Sequence, residues 1–220
     1  MHKIKTFTHI LLITLIAMPL MVNRIESQAT DSPDEMLRAA VRTDDAGQAD
    51  LALRSGADPN AMWDKNFTVL GIVSAFGPTE IAKLLIDSGA DVHKRDRTGE
   101  TAITWASKYG NTKAVKLLFD AGADVNTAGV QGITPLMRAS FMGHLDTVVF
   151  LIWLGADVNG KDMYGYPVMT HACTEVSIGD HMEIIRVLKL AGARGECPSY
   201  DAYDQDERAA ADSSELPPND

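Results

Sequence analysis

Apolar residues fall at helical spacing in four short stretches: Ile81, Leu84 and Leu85; Val115, Leu117 and Leu118; Val148, Leu151 and Ile152; Ile184, Val187 and Leu188. Residues three and four apart share a helix face, so each stretch predicts an amphipathic helix with one buried side. Each helix runs into a glycine that opens the same tripeptide. Gly56-Ala57-Asp58, Gly89-Ala90-Asp91, Gly122-Ala123-Asp124 and Gly155-Ala156-Asp157 recur every 33 residues. Gly192-Ala193-Arg194 follows after 37, which places a four-residue insertion in the last unit. A left-handed residue closes a helix most cheaply when it is glycine, so these positions read as helix ends.

A second set of positions repeats in the same register. Thr68-Val69-Leu70, Thr101-Ala102-Ile103 and Thr134-Pro135-Leu136 are 33 residues apart, with Gly99, Gly132 and Gly165 ahead of the later helix starts. Threonine caps a short helix, and Pro135 fits a first turn where no backbone donor is needed. Gly77, Gly110 and Gly143 then mark a tight turn into the second helix.

These residues resemble the ankyrin repeat. Thr101-Ala102-Ile103-Thr104-Trp105-Ala106 and Thr134-Pro135-Leu136-Met137-Arg138-Ala139 are similar to its opening signature, Gly143-His144 to its central turn, and Leu117-Leu118 with Gly122-Ala123-Asp124-Val125-Asn126 to its end. The resemblance implies an all-α ankyrin-repeat solenoid of about five helix–turn–helix units with short hairpin loops. It covers residues 34–197, in units at about 34–60, 63–95, 96–128, 129–161 and 162–196. The first unit lacks the Thr-Pro-Leu opening and reads as an N-terminal cap. Its charged helix (Asp34, Glu35, Arg38, Arg42, Asp44, Asp45) would face water, as a terminal repeat must. The last unit has Tyr166-Pro167-Val168-Met169 at the opening and Arg194 in place of aspartate.

Residues 1–29 have the form of a secretory signal peptide. His2, Lys3 and Lys5 precede an apolar run from Ile10 to Val22, and Ser27-Gln28-Ala29 supplies small residues where a signal peptidase cuts. The run covers about 20 Å as a helix, short of the roughly 30 Å core of a bilayer. Residues 30–33 form a linker. Without residues 1–29 the chain carries 17 basic and 29 acidic side chains, a formal −12, against −10 for all 220 residues. That balance argues against binding nucleic acid through charge. Residues 198–220 hold seven acids, Arg208 and Pro217-Pro218, with too little apolar surface to order, and read as a disordered acidic tail. The expected location is the periplasm, with secretion as the alternative, and no membrane attachment once the signal is cut.

Candidate chemistry is sparse. His93 sits in a loop, His144 at the repeat turn, and His171 and His181 in the last unit. The expected role of His144 is a bond from its imidazole to neighbouring backbone. His171 and Cys173, two apart, point about 200° from each other on a helix, a poor spacing for joint metal ligation or a thiolate–imidazole pair. No phosphate-cradling glycine loop, zinc helix or nucleophile elbow is present. The reading is therefore of no enzyme, no cofactor and no metal. In an oxidising compartment Cys173 and Cys197, 24 apart, would form a disulfide stapling the last unit; two free thiols are the alternative.

What the resemblance does imply is a protein-binding surface on the concave face, built from hairpin tips and the exposed side of each first helix. By register these are Phe76, Tyr109 and Met142, with Phe141 beside the last; Phe67, Glu100, Ile133 and Tyr166; and at the tips Asp64, Lys65, Arg97, Thr98, Val130, Gln131, Met163 and Tyr164. Aromatic residues and methionines predominate, rimmed by Glu100, Lys108, Arg97 and Lys65, which is the composition of an interaction site. Trp105 and Ile72 are expected to pack between helices instead. The partner is expected to be a protein bound by a monomer. Three kinds of exported bacterial relative fit: an antidote to a periplasm-acting toxin, an accessory to periplasmic peroxide defence, and an effector acting on a host protein.

Overall fold

The computed structural model describes residues 32–63, 66–173, 180–195 and 197. The signal-peptide segment, the tips Asp64 and Lys65, the four-residue insertion and the acidic tail lie outside the described residues. Two compact units divide the chain between Asp58 and Pro59.

The first unit is a helical hairpin. α1 (Pro33–Arg42) begins at Ser32, whose hydroxyl accepts from the Glu35 N–H, with Pro33 in the first turn. Ser32-Pro33 thus does the work that Thr-Pro does elsewhere, and Pro33 belongs to the helix, not to a linker. Leu37, Ala40 and Val41 are buried at helical spacing, while Arg38 and Arg42 pair with Glu35 on the other side. The charged helix is shorter than expected, because Asp44 takes a left-handed φ of 54° and Asp45 caps the next helix through the Gln48 N–H. α2 (Ala46–Arg54) buries Ala49 and Ala52, and Asp34 accepts from the Asp58 backbone at 2.8 Å to tie the two ends together.

The second unit is built from four helix pairs. The first helices are α3 (Val69–Phe76), α5 (Ala102–Lys108), α7 (Pro135–Phe141) and α9 (Val168–Cys173); the second helices are α4 (Thr79–Asp87), α6 (Thr112–Asp120), α8 (Leu145–Trp153) and α10 (His181–Leu190). First helices pack on first helices and second on second, giving two helical layers. Among the described residues there is no β-strand, only isolated bridges at Met62–Thr68 and Lys161–Pro167. The all-α repeat expected from the sequence is the fold observed.

The core follows the 33-residue register. Val69 and Leu70, Ala102 and Ile103, Leu136 and Met137, then Val168 and Met169 are buried along the first layer; Ile81 and Leu85, Val115 and Leu118, Val148 and Leu151, then Ile184 and Leu188 along the second. Each glycine of Gly-Ala-Asp is left-handed, with φ between 90° and 97°, and Gly192 of Gly-Ala-Arg matches them at 87°. Gly110 and Gly143 are left-handed too, but Gly77 is extended at φ −92°, since Pro78 follows and favours an extended predecessor.

Polar side chains bind unit to unit. Asn60 donates to the Gly89 carbonyl and accepts from Asp91 N; Asn126 bridges Gly155 and Asp157 in the same way, and Asn159 bridges Gly192 and Arg194. The fourth position in this ladder is His93. Among the described residues its ring bridges nothing; Arg95 instead reaches across to the Ala128 carbonyl at 2.7 Å. At the repeat turn, Asn111 donates to Ser74 O, and the Nε2 atoms of His144 and His181 lie 3.0 Å from Lys108 O and Phe141 O. His144 has its expected role, and His181, buried to 1% exposure, is its counterpart one unit on.

Cys173 and Cys197 are joined by a disulfide with Cα atoms 5.4 Å apart. The bond ties the end of α9 to the chain beyond α10 within the last unit.

Asn126→Ala should lower unfolding free energy by about 1 kcal/mol, and His93→Asn should raise it by about 0.5–1 kcal/mol by completing the ladder, read by urea denaturation. Both thiols of the native, unreduced chain should resist alkylation in a mass measurement, and reduction should cost roughly 3 kcal/mol of stability.

Candidate protein-binding face

The first-helix layer presents an aromatic row. Phe76 ends α3 and is 61% exposed; Tyr109, the C-cap of α5, is 37% exposed, and their ring centroids are 4.2 Å apart. Trp105 stands one turn earlier on α5, with its ring parallel to Tyr109 at 6.0 Å and edge-on to Phe67 at 5.3 Å. The Lys108 ammonium lies 4.8 Å from the Trp105 centroid and 5.4 Å from that of Tyr109, within cation–π range. Phe67, Trp105, Tyr109 and Phe76 therefore form one contiguous surface across two units. Further along the stack Phe141 and Met142 at the end of α7 and Tyr164 and Tyr166 in the next hairpin are also exposed, and Ile133 is half-buried.

Hairpin tips are linked between units: Arg97 N donates to Asn66 O at 2.9 Å and Met163 N to Gln131 O at 2.8 Å. Arg97 keeps its side chain in solvent.

Trp105 does more than pack between helices. Its indole meets α3 at Gly71, where an added Cβ would sit 3.2 Å from Trp105 Cδ1, and its Nε1 donates to Asp96 at 2.7 Å. Its remaining surface lines a cavity of about 330 Å³ with Phe67, Thr98, Glu100, Thr104, Lys108, Val130 and Arg138. Ile72, by contrast, is only half-buried on α3.

Glu100 is a correction. The register placed it on the exposed rim, but it is 6% exposed and its Oε1 accepts from Arg138 Nη2 of the next unit. The cause lies in the repeat. Asp96 and Asp162 occupy equivalent positions and fold their hairpins by accepting from Thr98 N and Glu100 N, and from Tyr164 N and Tyr166 N. The same carboxylates pair with Trp105 and His171. In the unit between them this aspartate is Gly129, and Glu100 moves into the vacant space: a Cβ on Gly129 would lie 2.1 Å from Glu100 Oε2. The neighbouring unit thus supplies to Arg138 the carboxylate that its own hairpin lacks.

Trp105, Arg138 and His171 share one register position on α5, α7 and α9. Burial lowers the His171 pKa below 6.5 and Arg138 lowers it further, outweighing the opposite pull of the Asp162 carboxylate 3.1 Å away. His171 is accordingly a neutral partner of Asp162 near pH 7. Among the described residues, no group of three or more His, Cys, Asp or Glu is placed to hold a metal ion.

Two overlapping matches to the family profile described as ankyrin repeats (3 copies) cover residues 36–129 and 70–162. Together they span 36–162, more than half of the 220 residues. The chain belongs to the ankyrin-repeat family. Ankyrin repeats mark it as a protein–protein interaction module, and they imply a protein partner. No curated protein matches it. Among the described residues no helix is long and apolar enough to cross a membrane.

Phe76, Tyr109, Phe141, Met142, Tyr164 and Tyr166, grouped by register, are each exposed. Register missed Trp105 and Arg138 as wall residues. The signal available was their position, since both stand where the exposed flank of a first helix must lie.

The depressed His171 pKa sets a pH dependence. Protonation is disfavoured in the folded state, so its contribution to stability is complete above pH 6.5 and is lost as pH falls below that value. Urea midpoints should therefore fall between pH 7.5 and 5.5, and His171→Asn should flatten that part of the profile.

Proposed function

We propose that this ankyrin-repeat chain is an exported, non-catalytic binding protein that grips a folded partner with its first-helix face. The carrying observation is the contiguous row of Phe67, Trp105, Tyr109 and Phe76, in which Phe76 and Tyr109 are exposed and Phe67 and Trp105 half-buried. Aromatic anchors rimmed by charge are the usual centre of a binding surface. These rings are held by contacts within and between two neighbouring repeats, so binding costs little ordering. Phe141, Met142, Ile133, Tyr164 and Tyr166 extend the face along the stack, and Arg97 and Lys108 supply its charge.

The reading of export rests on the form of residues 1–29, and the Cys173–Cys197 disulfide supports an oxidising compartment such as the periplasm. The acidic balance of −12 favours a basic partner, which suits an antidote to a periplasm-acting toxin better than a peroxide-defence accessory or a host-directed effector.

The test is a paired variant. Tyr109→Ala with Phe76→Ala should weaken partner binding by at least about tenfold while moving the melting temperature by only a few degrees. Photo-crosslinking from position 109 in cells should capture that partner, and the same probe at Val149 on the second-helix side should not. A double variant that binds normally, or capture from Val149 alone, would move the binding surface away from this face.

A further inference from the structure

The second-helix layer ends on an open face. Thr112 of α6 meets Thr147 of the next unit, their Oγ1 atoms 2.8 Å apart, so its register position points at the following repeat. Leu145 holds that position on α8 and is half-buried. Met182 holds it on α10, which has no following pair among the described residues, and it is 66% exposed. With Leu190, exposed to 80%, it lines a hollow of about 540 Å³ along α10, together with Ile185, Arg186 and Lys189. Arg186 shares its charge with Glu183 at 3.5 Å, while Lys189 has no ion-pair partner among the described residues. A terminal repeat needs a polar outer face, and this one is apolar and basic.

The chain beyond α10 returns to this end of the molecule. An added Cβ on Gly195 would lie 3.4 Å from Pro167 and 3.6 Å from the Met169 Cβ, at the start of α9. Two residues later Cys197 is bound to Cys173, at the end of α9. α10 begins at that same end of the layer, since His181 reaches the Phe141 carbonyl at the end of α7. The sequence then reads Pro198-Ser199-Tyr200-Asp201-Ala202-Tyr203-Asp204, two aromatic rings among acids, with Asp206 and Glu207 after them. At about 3.3 Å per extended residue, Pro198 to Asp204 reaches roughly 23 Å, beyond the roughly 15 Å length of α10.

Size decides between occupants. A second copy would have to bury about 1,000 Å² in all, and a face of roughly 15 by 10 Å does not supply that. A tethered segment acts at millimolar effective concentration, so far fewer contacts hold it in cis. Its acids oppose Arg186 and Lys189, and a stretch too polar to fold alone can order on such a surface.

We propose that residues 199–207 cap the stack in cis, with Tyr200 and Tyr203 against Met182 and Leu190 in the hollow and the acids beside them paired with Arg186 and Lys189. The aromatic row on the first helices takes no part, so this inference stands apart from the partner site.

The experiment uses the purified whole chain with its disulfide intact. A carbodiimide, which joins an ammonium to a touching carboxylate without a spacer, should link Lys189 to Asp201, Asp204, Asp206 or Glu207 within one chain, as located by peptide mass spectrometry. The yield should fall about threefold or more in roughly 0.5 M sodium chloride and stay constant on about tenfold dilution. The Met182 methyl signal in ¹H–¹³C spectra, assigned by its loss in Met182→Leu, should lie under the ring currents of the two tyrosines. It should therefore move in Tyr200→Ala with Tyr203→Ala, substitutions outside the repeats. Absence of any link from Lys189 to residues 199–207, links found only at dimer mass, or a Met182 methyl indifferent to the double variant would each overturn the proposal.

Discussion

A helix of six to ten residues is mostly ends. Four N–H groups and four carbonyls at each pair of termini have no partner inside the helix, and in a stack of such helices about half of the helical backbone groups fall in this class. Much of the second unit is organised around satisfying them. Thr68 and Thr134 cap the first helices, Asn111 caps α6, and the asparagines at 60, 126 and 159 bind the chain beyond the second helices of the next unit. His144 and His181 reach back to the carbonyls that close the preceding first helices. Many of these bonds cross from one unit to its neighbour. Closing a helix end and stacking two units are therefore the same event, which is why such a chain gains stability by nearest-neighbour steps.

The same constraint explains what could be read from sequence. A group that must be capped every 33 residues leaves a periodic trace, so helix pairs, left-handed glycines and the buried Ile81–Val115–Val148–Ile184 line were all legible. Register also tells which residues share the exposed flank, and Phe76 and Tyr109 were found that way. It does not tell which of two neighbouring units receives a long side chain. Glu100 is the case in point: its equivalents Ile133 and Tyr166 are not buried, and only the missing aspartate at Gly129 sends it inward. His181 was obscured differently, because the insertion breaks the count by four and hides its correspondence with His144. Asp44 and Asp45 were assigned to a helix because charge pattern alone does not distinguish a helix face from the cap that follows it.

The aromatic row on the first-helix layer is likewise held by hydrogen bonds. The Trp105 indole is fixed by Asp96, which is itself held by the hairpin amides; Phe67 and Tyr109 lean on Trp105, and Phe76 on Tyr109. A surface arranged by its own scaffold loses little entropy when a partner lands on it. The second helices also expose Val149 and Trp153, where among the described residues the ring contact of Trp153 is with Phe150 on the same helix.

The carboxylate that Glu100 lends across a unit boundary has a consequence for how this gene can change. Repeat proteins lengthen and shorten by whole units, since every joint looks alike to the backbone. Removing 129–161 would rejoin the chain in perfect register, yet it would set Glu100 against Asp162 and strand two acids on one histidine. Duplicating 96–128 would leave one copy of Glu100 facing an aspartate-bearing hairpin instead of Gly129. The order of the units is thereby locked by chemistry: this stack is a sentence whose words cannot be dropped or repeated, even though each has the same length.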